Sequence, residues 1–178
     1  MITVKQPNEI KLMKKAGEIV YDTHQLLKDH LKDGITTKQL DDIAYNYIVS
    51  QKGYPSFKGY QGFPGSICVS INDEVVHGMP SSKKIKNGDI VSIDIGVIYE
   101  GYHADSAWTY AVGQIKDEDE YLLIHTEKAL FEGLKTIKDG SYLNEIGLAI
   151  ENYALSKKLG VVKELVGHGI GRNLHEDP

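Results

Sequence analysis

IVSIDIGVIYEGYHADSAWTYAV, residues 90–112, decides how the rest of the chain is read. Before Tyr99 the run alternates: Val91, Ile93, Ile95 and Val97 point one way, Ser92, Asp94 and Gly96 the other, which is the period of a half-buried strand. Glu100-Gly101 is a turn signal, and a second strand-like run follows it. A two-residue loop pairs Tyr99 with Tyr102, Gly96 with Asp105, Val97 with Ala104 and Ile93 with Trp108. Asp94 is then the diagonal neighbour of Asp105 on one face, with Cβ atoms roughly 7 Å apart. A three-residue loop would send the two aspartates to opposite faces, because a slip by one residue flips every side chain. Adjacent carboxylates repel unless something positive stands between them, most simply a metal ion. Two solvated aspartates on the open face of an antiparallel sheet is the plainer alternative, and the pair taken alone favours it.

Composition narrows the classes. At 178 residues the chain can hold one ordinary domain with a real core. A hydrophobic share of 41% and a charged share of 25% are those of a soluble globular protein. The net charge of −5, without a basic run, argues against nucleic acid as a partner. Cys68 is the single cysteine, which rules out an internal disulfide and fits a reducing compartment. No segment has the apolar length of a signal peptide or a membrane span, so the expectation is a cytoplasmic protein without membrane contact.

Ahead of the hairpin, Pro7 opens a helical pattern in which Leu12, Ala16, Ile19, Val20, Thr23 and Leu27 recur at three- and four-residue steps. Thr36 with Gln39 reads as a capping box, and Leu40, Ile43, Ala44, Tyr47 and Ile48 form the stripe of a second helix. Residues 54–65 are rich in Gly, Pro and aromatics and predict a loop, and residues 67–71 a short strand. Beyond the hairpin, helices are expected over about 117–137 and 141–158, then a strand over 161–166, then GHGIGRNLHEDP. Shifting the sequence by 106 lays Lys32-Asp33-Gly34 on Lys138-Asp139-Gly140 and Asn46-Tyr47 on Asn152-Tyr153. The order helix, helix, loop, strand therefore recurs, which suggests one domain over 1–178 with approximate two-fold internal symmetry. The second half stops before a counterpart of the hairpin, and on this reading a segment of the fold is missing after Pro178.

The seven histidines differ in what surrounds them. His24, His30 and His125 fall in helices and are expected at the surface or half-buried. His103 shares the aspartate face nearer the turn. His77 is followed by Gly78, His168 lies between two glycines, and His175 adjoins Glu176. A metal site would use Asp94, Asp105 and a histidine, and such a thiolate-free donor set favours Mn²⁺, Fe²⁺ or Co²⁺ over a structural zinc.

The segments FPGSICVSINDEVVHGMP, DIGVIYEGYHAD and GHGIGRNLHEDP together resemble the bacterial type I methionine aminopeptidases, with HG-x-P, D-x-G…GY-x-x-D and GHGIG-x-x-x-HE-x-P in that family's order and spacing. The resemblance covers essentially the whole chain. It implies the α+β pita-bread fold, an antiparallel sheet backed by helices with pseudo-two-fold symmetry. It also implies removal of the initiator methionine from nascent chains whose second residue is small, by a metal-activated water and one or two divalent ions (Mn, Fe, Co or Zn). By position, Asp94 resembles the ligand that chelates one ion, Asp105 the carboxylate that bridges two, and His168 the histidine ligand of the other. His77 resembles the histidine near the scissile amide, and His175 the one that hydrogen-bonds the substrate carbonyl. Tyr60, Phe63 and Cys68 match positions lining the methionine pocket, and Leu174 stands where many relatives carry Phe.

The same resemblance implies a monomer that meets nascent N-termini at the ribosome. The family draws two further glutamate ligands from a segment after HE-x-P that this sequence does not contain, and Glu176 matches neither. The expectation is therefore a truncated copy, inactive by itself. Two alternatives remain: a non-catalytic pita-bread module that binds peptide or protein, and a relative that cleaves proline-containing peptides.

Overall fold

The computed structural model describes residues 1–178. It divides into two compact units, residues 1–115 with 168–178 and residues 116–167.

In the first unit, helix α1 spans Pro7–His30, with Pro7 supplying a pre-set φ at its start. The Glu9 carboxylate reaches back to the Gln6 amide at 2.7 Å, satisfying one of the donors that a helix start leaves open. Helix α2 spans Thr37–Ser50, and the predicted capping box is present: Thr36 Oγ1 accepts from the Gln39 amide and Gln39 Oε1 from the Thr36 amide. Both helices bury the expected stripes, Ala16, Ile19, Val20, Thr23 and Leu27 on α1 and Leu40, Ala44 and Ile48 on α2.

They cover one face of a four-stranded sheet made of β1 (Tyr54–Pro55), β2 (Ile67–Ile71), β3 (Ile90–Tyr99) and β4 (Tyr102–Ala111). Strand β4 runs antiparallel along the whole of β3. Strands β2 and β1 also pair with β3, one against Val91–Ile95 and the other against Val97–Ile98, so they share its other edge end to end. The two-residue β1 lies inside the stretch expected to be loop. Pro55 cannot donate to a ladder, so the pairing stays short and at the margin.

The register of the hairpin is the one counted from the turn: Tyr99 faces Tyr102, Gly96 faces Asp105 and Ile93 faces Trp108. Glu100 at φ 46° and Gly101 at φ 82° both take positive φ, which gives a two-residue turn whose twist matches the strands. Val91, Ile93, Ile95 and Val97 are fully buried in a core that includes Ile19, Leu27, Leu40 and Ile48.

The second unit holds α3 (Asp117–Leu134) and α4 (Asn144–Ser156), slightly shorter than expected at both inner ends. Four acidic residues in the first turn of α3 complement its dipole. Gly133 lets the helices meet closely: a Cβ there would lie 2.8 Å from Ile150 Cγ1. The expected strand at 161–166 is absent and the segment is irregular. Its apolar residues, Val161, Val162, Leu165 and Val166, have no neighbouring strand to pair with, and an isolated strand is not stable. The fourth term of the internal repeat is therefore missing from the second half. No helix is long and apolar enough to cross a membrane.

Candidate active site

Alternation along β3 and β4 sets Asp94 and Asp105 on the face opposite the helices, because Asp94 lies across from Ala107 and Asp105 from Gly96. Gly96 matters here for space. A Cβ on it would come within 2.6 Å of Phe57 Cε1, so the ring of Phe57 lies over the glycine on the face that carries the carboxylates. Burial disfavours charge on both aspartates. Asp94 is pushed up to about 7, first by burial and then by Asp105. Asp105 is also raised by burial, and His168, His175 and His103 pull it back. In the absence of a cation, this pair holds its negative charge at a cost.

The segment 168–178 closes over this face. Gly169 and Glu176 pair as an antiparallel bridge, with N–H···O distances of 2.9 and 2.8 Å. The bridge brings His168 and His175 together, and their ring centroids are 4.2 Å apart. His168 Nε2 stands 3.9 Å from Asp105 Oδ2. His175 Nδ1 lies 3.0 Å from the hydroxyl of Tyr60. The His103 amide donates to the Gly171 carbonyl at 2.7 Å and its Nδ1 meets Ser56 Oγ at 2.8 Å, which ties the segment to β4 and the loop after β1.

Cys68 faces Asp94 across the β2–β3 pair, and its thiol is buried. Burial, Asp94 and Asp41 push its pKa up to about 12, so the sulfur stays protonated. Phe63 is half-buried in the tight loop beside Tyr60, accepting from the Gly59 amide at 2.8 Å. Leu174 is buried between the two histidines in sequence. His77 is exposed at φ 59°, and its ring makes no hydrogen bond. The following Gly78 is pressed against β2 rather than left open for a ligand: its carbonyl accepts from Val69, and a Cβ would collide with the Val69 carbonyl at 2.1 Å. A cavity of about 430 Å³ beside His175 is lined by Met1, Thr3, Asn173, Glu176 and Asp177. Tyr60, Phe63 and Cys68 do not line it.

One helical histidine differs from expectation. His24 is completely buried on the helix-covered face, because it falls one turn from Val20 and Leu27 on the apolar stripe. Its ring stacks on Trp108 at 4.5 Å, and its two nitrogens meet Tyr110 Oη and the Ser106 carbonyl. Ser56 and Phe57 are site neighbours that the sequence reading passed over. Their signal is the aromatic, glycine-rich loop itself, in which the resemblance marks only Tyr60 and Phe63.

Metallopeptidase family M24 matches residues 11–178. The chain belongs to this family. It is 54% identical over 178 residues to methionine aminopeptidase 1 of Bacillus subtilis, covering all of this chain and 72% of that protein. It is 47% identical to the methionine aminopeptidase of Clostridium perfringens over the same shares. The crystal structure of methionine aminopeptidase from Rickettsia prowazekii superimposes with a TM-score of 0.97 at 39% identity, covering 100% of this chain and 72% of that one. The fold is thus the α+β pita-bread fold of the family, and membership in a metallopeptidase family implies divalent metal ions.

The residues suit such an ion in chemistry. Two carboxylates that repel each other and an imidazole, with the nearby thiol protonated, are donors for a hard or borderline divalent cation. They do not form a closed cage: no three His, Cys, Asp or Glu side chains surround one point. Asp94, Asp105 and His168 would hold the ion. Bound there, it would act as a Lewis acid and lower the pKa of water.

Proposed function

We propose that the chemistry of this site is metal-dependent release of N-terminal methionine from polypeptides with a small second residue. Asp94, Asp105 and His168 serve as metal ligands, and His175 donates to the scissile carbonyl. The observation that carries the reading is the carboxylate pair, lifted in pKa by burial, with Asp105 adding to it at Asp94, and faced by His168 and His175, on a chain so similar to methionine aminopeptidases. With the Tyr60 hydroxyl donating to Nδ1, His175 carries its hydrogen on Nε2 and can donate it, and a donor to a developing oxyanion contributes about 3 kcal/mol to a transition state. Tyr60, Phe63, Cys68 and Leu174 supply the apolar surface for an unbranched, polarizable side chain, with His77 toward its rim. The donor set favours Mn²⁺, Fe²⁺ or Co²⁺, with Zn²⁺ also compatible. The substrates are new N-termini, which places the protein in the cytoplasm near the ribosome, acting as a monomer.

Calorimetry with Met-Ala and Lys-Ala, with and without Mn²⁺, tests this. Met-Ala is expected to bind only with the metal, and Lys-Ala not at all. Equal or stronger binding of Lys-Ala would refute the assignment. Cleavage by the 178-residue chain is expected to stay below detection, because two carboxylates and one imidazole are too few donors for two ions. Robust turnover would show that three donors suffice. A second reading, a peptide-binding module without catalysis, draws on the absence of a closed three-ligand cluster. Metal-independent binding of Met-Ala that survives Asp94→Asn would favour it.

A further inference from the structure

Glu176 adjoins a histidine of the site, yet the function above gives it no task. Both oxygens of its carboxylate are engaged elsewhere. Oε2 accepts from Lys5 Nζ at 2.5 Å and Oε1 from the Asn173 amide at 3.0 Å. Both side chains are largely out of solvent, Lys5 at 17% exposure and Glu176 at 12%, which sets this pair apart from the surface pairs of the molecule. Lys5 comes from the first residues of the chain and Glu176 from the last, 171 positions away.

The segment between Gly169 and Glu176 has no regular structure beyond a single bridge, so something else must hold its two histidines. The ties come from the chain's beginning and from the turn end of β4. Arg172 lies over the Tyr102 ring at 4.6 Å and reaches Glu9 Oε1 at 3.5 Å, while Tyr102 Oη donates to the same Glu9 oxygen. The Met1 amine pairs with Asp177, but both groups are exposed and the contact contributes little. Gly171 shows how tightly the Lys5–Glu176 pair is seated. A Cβ there would stand 2.5 Å from Lys5 Cε and 2.9 Å from both Glu176 oxygens.

We propose that Lys5 and Glu176 form a clasp whose role is to position His175 and His168 over the carboxylate pair. Glu176 is a positioning residue, not a general base or a metal ligand, since its two oxygens are turned to Lys5 and the Asn173 amide. A largely buried ion pair is costly to break from one side, because the remaining charge is left without a partner. The clasp therefore resists opening of the segment more firmly than exposed pairs do. The inference rests on the reading of His168 and His175 as site residues, but its test needs neither metal nor peptide.

Nuclear magnetic resonance on the whole chain gives that test, through the cross-relaxation between the rings of His168 and His175 and the hydrogen exchange of the Asn173 amide. In Lys5→Met the ring contact should disappear and Asn173 exchange should rise about tenfold or more, while β3–β4 amides keep their protection. Lys5→Arg should restore both signals. Gly171→Ala should displace the flexible end of Lys5 and reproduce the Lys5→Met result from the opposite side. A change at Lys15, which pairs with Glu18 at 3.1 Å on the surface, should do nothing. An unchanged ring contact in Lys5→Met would overturn the proposal. So would a general loss of protection through β3 and β4, which would make Lys5 an ordinary stability contact. Failure of Met-Ala to bind would defeat the proposed function and leave the clasp standing.

Discussion

The two faces of the β3–β4 hairpin are made from alternate residues of the same two strands, and they are finished in opposite ways. On the helix-covered face the buried polar groups are paired. His24 shares its two ring nitrogens between Tyr110 and the Ser106 carbonyl and lies flat on Trp108. Burial lowers its pKa to about 4, so it is a neutral, bonded core residue. On the other face Asp94 and Asp105 are half-buried beside each other, and nothing cationic in the chain neutralises them beyond nearby imidazoles. A histidine with every nitrogen satisfied serves the fold. Carboxylates whose charge is opposed by their surroundings are what a cation site looks like before the cation arrives.

The largest effect expected from this contrast is on the finished face. His24→Ala removes a fully buried ring and its hydrogen bonds to the Ser106 carbonyl and Tyr110 Oη, so thermal or urea unfolding should register a loss of about 3 kcal/mol. Metal affinity at the other face, measured on the folded fraction, should stay the same. A loss below about 1 kcal/mol would mean that this face is no better satisfied than its opposite.

On the carboxylate face, removing charge should have the reverse sign. The folded value of Asp94, about 7, is above its ordinary 3.8, so the metal-free fold binds a proton that the unfolded chain has released. Its contribution is therefore fully present below about pH 4 and is lost as pH rises through about 7. Asp94→Asn should flatten that slope and stabilise the metal-free chain near pH 8 by on the order of 2 kcal/mol, while abolishing Mn²⁺ binding. Urea unfolding from pH 4 to 8 checks this. A destabilised variant would mean that Asp94 is a bonded structural carboxylate.

Next in size is the separation of the two histidines. His168→Ala should weaken Mn²⁺ binding about tenfold, since the imidazole closest to Asp105 is lost. His175→Ala should leave it nearly unchanged. Equal losses in a metal titration would make His175 a ligand and reverse their roles.

How much of this was legible beforehand depends on the range over which the information acts. The hairpin register is a local matter of period and turn length, and it came out residue for residue, aspartates included. His24 was also legible in principle, since it lies four residues after Val20 and three before Leu27. The expectation of a surface or half-buried position fails because a histidine on a stripe carries no mark of whether its nitrogens will find partners. Residues 161–166 mislead because a β-branched, apolar run reports what a strand could bury, not whether another strand lies alongside. The Lys5–Glu176 clasp had no local signal at all, because its partners are brought together only by the complete first unit.

The smallest effect on stability is expected at Tyr60, where the faces differ in a subtler way. Its hydroxyl is the partner of His175 Nδ1, but Tyr60 is 40% exposed, so Tyr60→Phe should change stability by only a few tenths of a kcal/mol. What it should change is the proton's place on the ring. If Tyr60 donates to Nδ1, the neutral imidazole carries its hydrogen on Nε2, the nitrogen the proposed function needs as a donor. Nitrogen-15 shifts of His175 in the neutral form should then show Nδ1 as an acceptor in the native chain and a mixture of tautomers in Tyr60→Phe. His24 offers the internal contrast, because its Nε2 hydrogen is fixed by the Ser106 carbonyl and should not respond to that substitution. A native His175 with its hydrogen on Nδ1 would show that the imidazole donates to the phenol instead. Nε2 would then be an acceptor, and the assignment of His175 as the group that stabilises the oxyanion would fail.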